Sequence, residues 1–152
     1  MLKNVPAILS PDLLKALASI GHASKILIAD GNCDINYLGK PNCFRVRMDG
    51  VSGSDLLRAI LKVIHVDVDV DDPIRVNEPG PGIERPSCYA KYDEVVKQSD
   101  EYSRIRYGGI HYMGDGFWAD CMEYDLVIAS GERDLFGNIY IQKGVVYPNE
   151  AQ

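Results

Sequence analysis

The segment Lys25-Ile26-Leu27-Ile28-Ala29 constrains the fold most, because a short and nearly continuous apolar run reads as a strand buried on both faces. Asp30-Gly31 ends it and puts a carboxylate at the strand's C-terminal end, where desolvation is costly without a partner or a ligand. Upstream, Ser10-Pro11-Asp12 carries a capping oxygen, a first-turn proline and an acid at the positive end of a helix dipole. Leu13, Leu14, Leu17, Ala18 and Ile20 then share one helical face. Gly21 stands where a left-handed C-terminal residue is expected, so His22 opens the loop into the strand.

The same alternation continues along the chain. Phe44–Met48 alternates apolar with basic residues, as a strand with one wet face does. A second helix begins at Ser52 or Ser54 and buries Leu56, Leu57, Ala59, Ile60, Val63 and Ile64. Val66–Asp72 alternates valine with aspartate and predicts a strand or extended edge, and the proline-rich stretch from Pro73 to Pro86 predicts a loop. A third helix is expected over Tyr89–Gln98, and strands over Ile110–Met113, Asp125–Ala129 and Ile139–Gln142. A short helical or turn-like segment around Phe117, Trp118 and Cys121 separates the first two of these strands. Helices interleaved with buried strands predict one α/β domain over residues 1–152, a three-layer α/β/α sandwich around a mostly parallel, mixed sheet.

The composition excludes several kinds of partner. A net charge of −6 repels a phosphate backbone, so no nucleic acid is expected. No run of about 18 apolar residues occurs, so no membrane partner is expected. Cys33, Cys43, Cys88 and Cys121 are widely spaced and lack the pairing of a zinc site, which favours a reduced, cytoplasmic protein without a metal. His65 and His111 likewise lack metal spacing to another histidine.

No dinucleotide, P-loop or serine-hydrolase motif is present. The polar and aromatic residues at element ends, where α/β sheets place ligands, are His22, Asp30, Asp67, Trp118 and Asn138. Each also has a plain structural reading. His22 could be a surface histidine, Asp67 part of a solvated acidic edge with Asp69, Asp71 and Asp72, and Trp118 core. Phe136-Gly137-Asn138 reads locally as a turn before the last strand.

In order along the chain, Ile8-Leu9-Ser10-Pro11-Asp12-Leu13-Leu14, Gly21-His22, Ile28-Ala29-Asp30, Asp49-Gly50, Gly131-Glu132, Gly137-Asn138 and Lys143-Gly144-Val145 resemble the fucose mutarotase / ribose pyranase family. The opening segment and Asp49-Gly50 are closer to its L-fucose mutarotase side. The resemblance implies an isomerase that exchanges the anomers of a monosaccharide, L-fucose or a related sugar, with no cofactor. It also implies that His22 is the catalytic acid/base and that Asp30, Asp67, Trp118, Phe136, Gly137 and Asn138 line the sugar site. A homo-oligomer is implied too, a decameric ring with sites completed near subunit boundaries. Ring opening takes a proton from the anomeric hydroxyl and gives one to the ring oxygen, and a histidine serves both steps near neutral pH.

Two departures bear on substrate. Phe136 replaces the family's usual tyrosine and has no hydroxyl to donate, and the position where fucose mutarotases carry an arginine falls near Gly114. His111 and Asp115 are the nearby polar residues. These departures leave open a sugar-binding or regulatory protein of the same fold that has lost turnover.

Overall fold

The computed structural model describes residues 2–150, apart from the Asp115 side chain and the surroundings of Gly116. The chain runs α1 (Pro11–Ser19), β1 (Lys25–Ala29), β2 (Phe44–Met48), α2 (Gly53–Ile60), β3 (Ile74–Asn77), α3 (Cys88–Gln98), β4 (His111–Met113), β5 (Leu126–Ser130) and β6 (Ile139–Gln142), with 3-10 turns at Asp100–Arg104 and Asp115–Asp120. Among the described residues these strands form one mixed sheet in the order β2-β5-β1-β6-β3-β4. β6 runs antiparallel to both neighbours, β1 and β3, and the β2-β5-β1 and β3-β4 pairings are parallel. β1 therefore lies inside the sheet with a strand on each side, as its unbroken apolar run requires.

Strand alternation divides the core in two. Ile26, Ile28, Leu126, Ile128, Ile139 and Ile141 point to one face, where they pack with buried residues of all three α-helices. Leu27, Ala29, Val127, Ala129 and Tyr140 point to the other. The third layer, on that second face, comes from the loop after β1 through Ile35 and Leu38, together with Phe117 and Tyr124. Among the described residues it contains no α-helix.

Helix ends follow local chemistry in two cases and tertiary chemistry in two. The Ser10 hydroxyl accepts from the Leu13 N–H at 3.2 Å, and Ser52 accepts from the Asp55 N–H at 3.1 Å. α1 does not end on a left-handed Gly21: Ile20 is extended, and the left-handed residue is Ala23 at φ 60°. The reason is remote in sequence, since the Lys143 ammonium donates to the Leu17 and Ile20 carbonyls at 2.9 and 2.6 Å and satisfies the helix end with a cation. Burial pushes the Lys143 pKa down from its ordinary value. The start of α3 is likewise capped from a distance, by the Asp134 carboxylate, which accepts from the Ser87 hydroxyl at 2.7 Å and the Cys88 N–H at 2.9 Å.

The expected strand at Val66–Asp72 is not formed; only Val66 bridges, to Lys143. Asp67 Oδ1 accepts the Asp69 N–H at 3.0 Å, a local turn that competes with the ladder. The strand instead occupies Ile74–Asn77, inside the stretch expected as a loop. Its apolar/polar alternation was masked by the prolines that follow.

Gly144 makes the Val66 crossing possible. A Cβ there would strike the Val66 carbonyl, a backbone contact that cannot swing aside. Gly144→Ala is therefore expected to destabilise the fold by about 1–3 kcal/mol, read as a lower urea midpoint with an unchanged slope. An unaltered midpoint would show that the crossing tolerates the methyl group.

Candidate active site

Two polar clusters contain the candidate residues other than Trp118, and they occupy opposite ends of β1. At its N-terminal end His22 follows α1, and its loop is stitched to the end of β6: the Ala23 N–H donates to the Lys143 carbonyl and the Lys143 N–H to the Ser24 carbonyl, each at 2.9 Å. The His22 Nε2 atom lies 3.2 Å from Asp67 Oδ1 and 3.5 Å from Asp69 Oδ2. Asp67 is 2% exposed. It also accepts from the Gln142 amide at 2.9 Å, and the Tyr140 hydroxyl donates to the other end of that amide at 2.6 Å. Arg75 sits over the Tyr140 ring, 4.5 Å from its centroid.

Burial by itself would push the Asp67 pKa up, but the Asp69 N–H, the Gln142 amide and His22 together hold it below the ordinary 3.8. Because the folded value is depressed, this stabilisation is complete above about pH 4 and is lost as pH falls through the folded value. Wild type is thus expected to lose urea resistance below about pH 4 more steeply than Asp67→Asn; parallel profiles would remove Asp67 from the acid response.

At the C-terminal end of β1, Asp30 and Asn138 form a reciprocal pair. The Asp30 N–H donates to Asn138 Oδ1 at 3.0 Å, and Asn138 Nδ2 donates to Asp30 Oδ2 at 2.9 Å. The Asn32 N–H takes Asp30 Oδ1 at 2.9 Å. Both side chains are buried, yet each carboxylate oxygen keeps a second acceptor direction and the amide a second N–H. Phe136 is held left-handed at φ 63°, an uncommon state for a bulky residue. Two tyrosines of α3 restrain it: the Tyr89 hydroxyl lies 2.7 Å from the Phe136 carbonyl, and Tyr92 donates to the Gly137 carbonyl at 2.8 Å. Gly137 is required here because a Cβ would come within 2.7 Å of Glu132 Cγ and 2.8 Å of the Asp134 carbonyl. A cleft of about 500 Å³ opens beside Phe136, bounded by Arg85, Ser87, Asp134 and Leu135 among others.

The structure therefore brings His22 to Asp67, and Asp30 to Phe136, Gly137 and Asn138, but holds the two groups apart. The five residues of β1 alone span roughly 16 Å between them. Trp118, a core residue by composition, is instead 37% exposed and stacks edge-to-face on Phe117 on the second face of the sheet. His111 stands exposed on the edge strand β4, 3.8 Å from Asp72, and the Asp115 side chain lies outside the described residues. His65 serves structure, with Nδ1 2.7 Å from the buried Glu101, whose other oxygen accepts the Val66 N–H.

Sequence reasoning missed Tyr140, Gln142 and Lys143 as supports of His22. Lys143-Gly144 was noticed only as a motif, and Gln142 only as the end of a strand. Among the described residues, metal-capable atoms approach within 4.8 Å of one another in two groups, His22 with Asp67 and Asp69, and Cys88 with Glu132 and Asp134. In the first group the hydrogen bonds and ion pairs above account for the closeness. In the second, Asp134 is already engaged by the Ser87 hydroxyl and the Cys88 N–H, and burial raises the Cys88 pKa to about 12.

Residues 3–146 match the RbsD / FucU transport protein family. The chain belongs to that family. A fucose mutarotase of Danio rerio is 32% identical over 155 residues, covering 99% of this chain and 97% of the relative. Among solved structures, FucU from Bifidobacterium longum is 36% identical with a TM-score of 0.84, covering 95% of this chain and 100% of that one. A fucose mutarotase from Streptococcus pneumoniae, solved in complex with L-fucose, is 30% identical with a TM-score of 0.83 over 96% of this chain and 100% of that one. These similarities fit the mixed α/β sheet described above. No helix among the described residues is long and apolar enough to cross a membrane.

Proposed function

We propose that this family member is an isomerase that interconverts the α and β anomers of L-fucose, with a site made of the His22 cluster of one copy and the Asp30 cluster of another. The observation that carries the reading is the separation of the two clusters across β1 in a chain that is 30% identical, nearly end to end, to a protein solved with L-fucose. One sugar ring cannot touch both ends of a strand. Symmetric association of copies that places the two ends face to face supplies both halves to one ligand. A homo-oligomer is thus part of the proposal, and a closed ring satisfies it because the two surfaces are unlike and join head to tail. The reading places the protein in the cytoplasm, where its free cysteines stay reduced.

In this site Asp30 accepts from sugar hydroxyls with its remaining lone pairs, and Asn138 donates its second N–H. The Phe136 ring, on a backbone whose carbonyl is held by the Tyr89 hydroxyl, offers an apolar face to the C–H side of the sugar but no hydroxyl. Trp118 offers a second open ring with an N–H donor. His22 removes the proton of the anomeric hydroxyl as the bond between C1 and the ring oxygen breaks, and a proton is delivered to that oxygen. The open aldehyde rotates about its C1–C2 bond and closes on the opposite face, so atoms and charge balance with no oxidant or cofactor.

Saturation transfer between the anomer signals of L-fucose tests the proposal directly. The protein is expected to accelerate exchange; a folded protein that leaves the exchange of L-fucose and related sugars at the buffer rate would replace this reading with that of a sugar-binding protein.

A further inference from the structure

The hydrogen-bond network behind His22 decides where the ring carries its proton. Asp67 is held ionised by its donors, so both its oxygens can only accept. Gln142 must then turn its amide N–H toward Asp67, because the opposite orientation would set a carbonyl against a carboxylate. The amide oxygen consequently faces Tyr140, and the Tyr140 hydroxyl donates to it. Burial raises the Tyr140 pKa, so that hydroxyl keeps its proton. Arg75, over the ring, is braced by Asp72 at 3.4 Å and Asp120 at 3.6 Å and limits where the tyrosine can move. At the far end of the relay, His22 Nε2 lies 3.2 Å from the Asp67 carboxylate, which has no proton to give, and 3.5 Å from an Asp69 oxygen.

We propose that Gln142, locked between Tyr140 and Asp67, is a positioning residue that holds neutral His22 in its Nε2–H form and leaves Nδ1 as the nitrogen that moves the sugar's proton. This rests on the reading of His22 as the acid/base. Nδ1 takes the proton of the anomeric hydroxyl, giving an imidazolium whose Nε2–H still faces Asp67. Returning the Nδ1 proton to the ring oxygen restores the starting ring. The carboxylate orients and stabilises the imidazolium and does not itself become protonated, a division of labour that other histidine–aspartate pairs share. Asp67 thereby acts on the sugar through the ring.

The test reads the ring itself, separately from turnover. Nitrogen-15 spectra of ¹⁵N-histidine-labelled full-length protein, at a pH where His22 is neutral, are expected to show the Nε2–H tautomer. In Gln142→Met, which keeps length and removes the amide, Asp67 loses the donor on Oδ2 that fixes it, and the Nε2–H signal is expected to weaken and broaden as the ring loses its held orientation. Anomer exchange of L-fucose is then expected to fall about tenfold or more through kcat with KM little changed, since a ring that is no longer aimed loses its action as a base while the binding site stays. Tyr140→Phe keeps the core shape, frees the amide to turn, and is expected to move both readouts in the same direction by a smaller factor. This second variant keeps the test decisive if Gln142→Met does not fold. An Nδ1–H tautomer in wild type, or variants that fold with wild-type spectra and rates, would overturn the proposal. Wild-type protein that shows the Nε2–H ring but no anomer exchange would instead overturn the catalytic reading and leave the assignment of the ring standing.

Discussion

Replacing His22 by alanine is expected to slow anomer exchange by about 10²–10⁴-fold, the range that a positioned general acid/base supplies. The fold should survive the change. The ring is half exposed and is held through Nε2 by Asp67 and Asp69, and its loop is fastened by backbone bonds to Lys143 that alanine preserves. Sugar affinity should change little, because Asp30 and Asn138 sit at the other end of β1 and keep their reciprocal pair. The loss should therefore fall on kcat. Saturation transfer at several L-fucose concentrations, with a thermal melt to establish folding, separates these quantities. A variant that folds and exchanges anomers at the wild-type rate would remove His22 from the chemistry and turn attention to the carboxylates.

The second large effect is a gain. Asp30→Asn retains the size of the side chain but removes its charge and sets an amide against the Asn138 amide, so this variant is also expected to be nearly inactive. When His22→Ala and Asp30→Asn chains are assembled together in equal amounts, activity is expected to recover to about one quarter of wild type. A site shared between copies needs an intact histidine from one chain and an intact aspartate from its neighbour, and random assembly pairs them about one time in four. If each site lay within a single chain, every site would carry one lesion and the mixture would stay as inactive as its parts. Co-expression under two different tags, followed by purification through both, gives the mixed assembly in which this is measured.

Much of this protein is readable one residue at a time. The continuous apolar run at residues 25–29 can be accommodated only inside a sheet, and β1 has a strand on either side. Ser10 and Ser52 cap the helices that follow them because capping is settled within three residues of chain. His22, Asp30, Asp67, Trp118 and Asn138 stand out as polar and aromatic groups at element ends, with the resemblance giving Phe136 and Gly137 a place at the sugar.

Tertiary structure alone decided the rest, and in each case the controlling partner is far away in sequence. Lys143 ends α1 from more than 120 residues downstream, so Gly21 has no left-handed turn to make. Asp134 caps α3 from another loop, while the Asp67 carboxylate stops the valine-aspartate run from pairing as a strand. The relay from Tyr140 through Gln142 and Asp67 to His22 exists only because β6 lies antiparallel beside β1 and returns its C-terminal end to the point where β1 begins. For the same reason the candidate residues fall into two clusters. Sequence spacing places His22 and Asp30 eight positions apart, but an extended strand between them turns that short interval into a distance that no single sugar covers.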